Sequence, residues 1–366
     1  MSVKKTYELK HERHIPMVCV LSLLLTLITG CSSIDDDLSD CGNDYQLNYE
    51  LQLVTNISTE LQTELTTQTE VAIANALRTH LSGIFTDFAH DIDLSFYETE
   101  GDSLRLQHDE HIMNANQASY TLYLPMRQYM HLAVANVVNN PLVSLEKDEV
   151  CHTSQLYQKG QTLASSTGID TISSHTTGLF TARQPMEVVE GIDQKFNVRL
   201  YMANCAAALV LDPRGKNMDG MRVFSTGFAT AFQVADSIFS YPKQSPIVRT
   251  QTITSEESNL TAFCSVTFPS REHAAHGNTR TIIETTDAFV AEADEETLWE
   301  FRTYVPCADG TITETRLGIK EPLRGGQLKI IKCWLDEKGV VKTDDQEVAA
   351  SVKLNWKEGS EFTPHL

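Results

Sequence analysis

Apolar and polar positions alternate from residue 45 onward. Tyr45, Leu47, Tyr49, Leu51 and Leu53 are separated by Gln46, Asn48, Glu50 and Gln52. A period of two puts each set on its own face of an extended chain and predicts a half-buried strand over residues 45–53. Over residues 70–84 the spacing changes to three and four. Val71, Ala74, Leu77, Leu81 and Ile84 then form one face of a helix. Strands follow. Ile92, Leu94 and Phe96 alternate, and the turn residues Glu100-Gly101-Asp102 lead to Leu104 and Leu106, which predicts a hairpin. Residues 120–124 and 129–136 predict a second strand pair. From 139 to 177 the chain is polar and rich in Ser, Thr and Gly, and reads as long loops with room for one short helix.

A polar break at 187–195, containing Gly191, suggests a domain boundary. Phe196, Val198, Leu200 and Met202 alternate after it, as the first strand of a second unit. Residues 206–211 are apolar throughout, as in a strand covered on both faces. Further strands are predicted at 260–268, 298–305, 311–317, 327–335 and 350–356. In the last, Val352, Leu354 and Trp356 share a face opposite Lys353, Asn355 and Lys357. Many short strands with one good helix predict a mainly β protein of two β-sandwich domains in tandem, residues 45–191 and 192–366. No repeat of solenoid period interrupts this pattern.

The N-terminus carries an address. Lys4, Lys5, Lys10 and Arg13 precede a short apolar run from Met17 to Ile28, the layout of a signal peptide. The run is shorter than the roughly 20 apolar residues of a spanning helix. Ile28-Thr29-Gly30-Cys31 resembles a lipobox, in which the cysteine is lipidated and becomes the first mature residue. Residues 1–30 are then a lipoprotein signal peptide, Cys31 the lipidation site, and 31–44 an acidic tether containing Asp35, Asp36 and Asp37. Two acyl chains hold a protein stably at a membrane, each buried CH₂ contributing about 0.8 kcal/mol. An ordinary secretory signal with an incidental cysteine is the competing reading. The acidic run reads either as a surface-export signal or as a solvated linker kept extended by its like charges.

Composition narrows the function classes. The formal charge of −20 repels phosphate backbones, so nucleic acid is excluded as a partner. Eight cysteines are present, and export to an oxidising compartment permits disulfides. Spacing does not choose a connectivity. Cys41 and Cys151 lie in polar, loop-like sequence and are the disulfide candidates. Cys205, Cys264 and Cys333 lie in apolar runs, as buried thiols do. No Cys-x-x-Cys occurs, which points away from structural zinc.

Nothing in the chain spells out catalysis. His108-Asp109-Glu110-His111 resembles a metal cluster, but its spacing lacks the i, i+4 geometry of a helical zinc motif, and it reads as a solvated turn. His273 and His276 lie three apart beside Gly277, where adventitious metal binding is the alternative to a flexible loop. Ser225-Thr226-Gly227 is not a nucleophile elbow, and no glycine-rich nucleotide loop occurs. The expectation is a non-enzyme with no catalytic residues, no metal, no cofactor and no small-molecule substrate. Asp102-Ser103-Leu104, Asp170-Thr171-Ile172 and Asp236-Ser237-Ile238 resemble a bacterial O-glycosylation pattern, with Thr171 the favoured site because it reads as part of the long polar loop.

The order of these features resembles the FimB-type fimbrial anchor lipoproteins, relatives of the fimbrillins. The resemblance rests on the lipobox cysteine, on Asp36-Asp37-Leu38-Ser39-Asp40-Cys41 before the alternating first strand, and on two further segments, Tyr129–Asn136 and Val352–Gly359. It implies two transthyretin-like β-sandwiches, a lipid anchor in the outer membrane, and a fimbrial stalk subunit (fimbrillin) as partner. The implied role is to attach a surface fimbria to the outer membrane, with limiting its length as a second role. It also implies assembly by β-strand complementation, in which backbone hydrogen bonds supply affinity and alternating side chains fill pockets. No Lys or Arg lies between Cys31 and Leu77, so a trypsin-like protease has no site between the lipid and the first strand. Residues 45–53 are therefore expected to stay in place, and the C-terminal strand or residues 357–366 to be donated. The alternative is a surface glycan-binding lipoprotein, for which Trp299, Trp334 and Trp356 are the candidate stacking platforms.

Overall fold

The structure, a computed structural model, describes residues 44–54, 68–85, 89–100, 104–113, 119–151, 154–159, 161–162, 170–190, 194–242, 245–272, 297–345 and 348–357. The protein is mainly β. Its first sheet has seven strands in the order β3 (Arg105–Met113), β2 (Asp91–Glu98), β5 (Gln128–Ala135), β10 (Phe180–Glu187), β11 (Gln194–Met202), β1 (Tyr45–Val54) and β4 (Ser119–Leu124). A second sheet runs β17 (Gln251–Thr254), β18 (Thr261–Thr267), β12 (Cys205–Asp212), β21 (Leu328–Leu335), β22 (Val341–Lys342). The third runs β23 (Val348–Lys357), β20 (Thr311–Ile319), β19 (Trp299–Pro306), β13 (Arg222–Thr226), β16 (Ile247–Arg249), β9 (Asp170–Ser173), β8 (Gln161–Thr162). A small fourth sheet is β15 (Ile238–Ser240), β14 (Ala231–Gln233), β7 (Gln155–Gln158), β6 (Val143–Glu146).

Three apolar clusters join these layers. The largest links the inner face of the first sheet, the stripe of helix α1 (Gln68–Ile84) and one face of the second sheet. Strand β12 shows why its sequence is apolar throughout. Ala206, Ala208 and Val210 face that cluster, while Cys205, Ala207, Leu209 and Leu211 face a second one shared with the third sheet. The third cluster lies between the fourth sheet and the opposite face of β2 and β5, through Tyr97, Leu132, Val134 and Phe232. Alternation therefore reports a strand with one wet face, and a continuous apolar run one with none.

Several sequence expectations meet a different arrangement. The helix buries Ile73, Ala74, Leu77, Leu81 and Ile84, whereas Val71 is 44% exposed. Strands β4 and β5 follow one another in the chain but do not pair; β4 pairs with β1, and β5 with β2 and β10. The strand expected to open the second domain, β11, pairs with β1 in parallel and with β10, inside the first sheet. The polar stretch 139–177 supplies β6 to β9, and β7 and β9 pair with strands from beyond residue 230. Short polar strands carry little periodicity, so pairing with distant partners decides them.

Candidate functional site

Strand β1 is the element on which a strand-exchange function would act. It is held on both sides: parallel to β11 from Leu47↔Gln194 to Val54↔Tyr201, and antiparallel to β4 from Tyr45↔Leu124 to Glu50↔Ser119. Leu47 and Tyr49 are fully buried, while Gln46 and Asn48 are exposed, as the alternation predicts.

Two positions away the sheet is split. The ladder between β5 and β10 runs unbroken from Phe180↔Ala135 to Glu187↔Gln128, and the Val188 N–H continues it to the Arg127 carbonyl at 2.9 Å. Even-numbered residues of β10 therefore direct their backbone groups toward β5, and odd-numbered residues toward β11. Toward β11 the pairing stops almost at once. The Ala203 N–H donates to the Leu179 carbonyl at 2.8 Å, and Phe180↔Met202 and Thr181↔Tyr201 follow; no further pair forms among the described residues. Continuing that register would set Arg183 against Arg199, Pro185 against Asn197 and Glu187 against Lys195. Like charges directly opposite oppose pairing, and Pro185 has no N–H to give on the side that faces β11. At the far end the Gln194 side chain closes the opening, donating from Nε2 to the Glu187 carbonyl at 3.1 Å and accepting the Val189 N–H at 3.0 Å.

A groove of about 670 Å³ lies over this seam, on the outer face of the sheet. Thr181, Arg183, Asn197, Arg199 and Tyr201 line its floor, and the β14–β15 hairpin walls it with Phe232, Val234, Ser237 and Phe239. The rings of Phe232 and Phe239 stack with centroids 4.2 Å apart. Arg183 and Arg199 are both exposed, and among the described residues no ion pair involves either.

Beneath the seam a buried strut joins its two sides. Tyr49 on β1 hydrogen-bonds to Nε2 of His131 on β5. His131 Nδ1 lies 3.1 Å from the Ser95 carbonyl, which can only accept, so Nδ1 carries the proton and Tyr49 donates to Nε2. Phe96 stacks on the imidazole at 4.3 Å. Burial lowers the His131 pKa to about 4, keeping the ring neutral.

The sequence-predicted residues are scattered. Cys31, Cys41, Ser103, His273 and His276 lie outside the described residues. Cys151, expected in a loop, is fully buried in the third cluster, and burial pushes its thiol up to about 11. Cys205, Cys264 and Cys333 are buried thiols, as their apolar neighbours predict. Thr171 is in no loop: it lies in β9 between β8 and β16, 2% exposed, with a buried hydroxyl that has no hydrogen-bond partner among the described residues. The folded chain therefore does not offer it to a modifying enzyme. Ser237, in the second of these motifs within the described residues, is exposed at the β14–β15 turn. His108–His111 are not a turn but part of β3, where alternation sends His108 and Glu110 to one face and Asp109 and His111 to the other. Lys147 bridges Asp109 and, at 2.6 Å, Asp93. Among the described residues no cluster is built to hold a metal, and no helix is long and apolar enough to cross a membrane.

Trp299 and Trp334 make no stacking platform. Trp299 is 1% exposed and packs on Phe228 and Phe301, and Trp334 lies 4.6 Å beneath the Arg214 guanidinium. The Trp356 side chain lies outside the described residues. Tyr123 and Tyr201 are exposed on the outer face of the first sheet, but they pair with Gln46 and Val54 of β1. Eight residues of strand separate these partners by about 27 Å, too far for one sugar to span.

No family model matches the chain, and no curated protein matches it. Similar solved structures exist. A candidate polysaccharide-binding protein from Bacteroides thetaiotaomicron is 8% identical over 82% of this chain and 99% of its own, with a TM-score of 0.49. A fimbrial assembly protein from Parabacteroides distasonis is 12% identical over 85% and 96%, with a TM-score of 0.39. The fimbrial anchor protein Mfa2 from Porphyromonas gingivalis is 12% identical over 61% and 73%, with a TM-score of 0.37. None of the three reaches a TM-score of 0.5.

Proposed function

We propose that this chain is a lipid-anchored subunit of a surface fimbria, non-enzymatic, fixed in the outer membrane through acylated Cys31 and joined to a stalk subunit by β-strand complementation. The observation that supports the reading is the position of β1. It is clasped by β11 and β4 with Leu47 and Tyr49 in the core, and no Lys or Arg lies between it and Cys31. A subunit that keeps this strand accepts no donor there and stays connected to its lipid. The strand available for sharing is β23. It pairs with β20 from Ile319↔Val348 to Thr311↔Lys357 and ends the third sheet, so its outer side has no partner among the described residues. An unpaired edge is a ready template for another chain.

Mass spectrometry of the membrane-associated protein tests the anchor: the mature N-terminus should be Cys31 carrying acyl chains. A product that begins beyond Arg78, or an unacylated one released to the medium, overturns it. Deleting residues 358–366 should leave the fold intact and weaken retention of the fibre. Full retention argues against donation by the tail.

A further inference from the structure

The seam between β10 and β11 lies apart from β1 and β23, the strands on which the anchoring reading rests. We propose that the groove over this seam is a binding site for an extended peptide segment bearing carboxylates, with Arg183 and Arg199 as its anion clamp. Three observations converge. First, two guanidinium groups face one groove without an ion-pair partner among the described residues, in a chain of formal charge −20. Such groups repel each other until an anion enters between them, and arginine binds carboxylates bidentately. Second, the floor of the groove exposes backbone groups that a continuous sheet would use. The Arg183, Asn197 and Arg199 N–H groups and the Arg183, Pro185, Asn197 and Arg199 carbonyls lie on the unpaired sides of their strands. A peptide backbone offers donors and acceptors in alternation and can satisfy both kinds. Third, the wall is apolar and aromatic, through Phe232, Val234 and Phe239, with Tyr201 56% exposed at the floor. It can cover the apolar side chains between successive carboxylates.

The chemistry is selective for this occupant. Nucleic acid is repelled by the rest of the surface. An acidic oligosaccharide could meet the arginines, and its hydroxyls donate as well as accept, but it does not repeat donor and acceptor at the spacing of a β-strand as a peptide backbone does. The site is also short. It is closed at one end by the Thr181↔Tyr201 pair and at the other by the Gln194 amide, so the segment lies along the groove and does not thread through the sheet. This inference is independent of the lipid-anchor reading and holds or fails with the folded domain alone.

Fluorescence anisotropy on the full chain, with a labelled Asp-Leu-Asp-Leu-Asp pentapeptide, tests it. Saturable binding should appear below about 1 mM and weaken as salt rises. The Arg183→Gln/Arg199→Gln pair should weaken it at least about tenfold, and Tyr201→Ala should weaken it with both arginines in place. Far-UV circular dichroism checks that each variant folds. The proposal is overturned by equal binding of Asn-Leu-Asn-Leu-Asn, by unchanged binding to the double variant, or by the absence of saturable binding. Binding of trigalacturonate in preference to the peptide would also overturn it, by assigning the groove to acidic glycans.

Discussion

The hydroxyl of Tyr49 donates to Nε2 of His131 directly beneath the break between β10 and β11. The two residues stand on β1 and β5, so the bond ties together the halves of a sheet whose own ladder fails between them. Both side chains are fully buried, and the imidazole's other nitrogen is committed to the Ser95 carbonyl. The polar pair thus does in the core what backbone hydrogen bonds do elsewhere in the sheet.

Replacing Tyr49 by Phe removes the donor and leaves a buried imidazole acceptor with no partner. The expected loss of stability is about 1–3 kcal/mol, read as a lowered urea midpoint at unchanged m-value. An unchanged midpoint would show that the bond carries no net stability.

Stability should fall as the solution is acidified through the histidine range. Burial lowers the pKa of both His131 and His175 to about 4 from an ordinary 6.5. Below pH 6.5 the unfolded chain binds protons that the folded chain refuses. The stabilisation is therefore fully present above pH 6.5 and is lost progressively as pH falls to 4. Each histidine contributes up to about 1.4 kcal/mol per pH unit in that window. Urea unfolding at pH 7, 6, 5 and 4 measures it, and a flat profile between 6.5 and 4.5 would refute the assignment.

Gly227 is constrained twice. Its φ is +104°, and a Cβ there would lie 2.6 Å from Trp299 Cα and 2.8 Å from the Leu298 carbonyl oxygen. Gly227→Ala should cost more than about 2 kcal/mol. Gly310 also has positive φ, +78°, but open space around it. Its alanine variant should cost about 1 kcal/mol, the backbone penalty alone. Thermal unfolding of the two variants separates packing from backbone strain.

Hydrogen exchange should map the seam amide by amide. The N–H groups of Arg183, Asn197 and Arg199 face the break and should exchange rapidly. Those of Ala182 and Gln184 belong to the β5 ladder and should be protected. Equal protection of both sets, followed by NMR, would mean that the sheet is closed in solution.

The longer strands of this protein were legible one at a time. Tyr45 to Leu53 alternate because β1 has one wet face, and the apolar run 206–211 reflects the two clusters that β12 separates. The buried thiols of Cys205, Cys264 and Cys333 followed from their apolar neighbours. By contrast, His108–His111 looked like a turn because β3 is an edge strand, partly hydrated on both faces. Edge strands lose the contrast between wet and dry positions that periodicity depends on. Thr171 read as loop because β9 is four residues long and takes its burial from β16, far along the chain.

Local sequence determined the long alternating and continuously apolar strands, where the helix runs, and the basic, apolar and cysteine pattern of the N-terminus, because each depends on residues within a few positions of one another. Tertiary structure alone decided that β4 and β5 part company, that β1 lies parallel to β11, and that Arg183 and Arg199 come to line one groove. Neither arginine signals the other in the sequence. The groove that they share exists only once two strands have been brought side by side by contacts elsewhere in the fold.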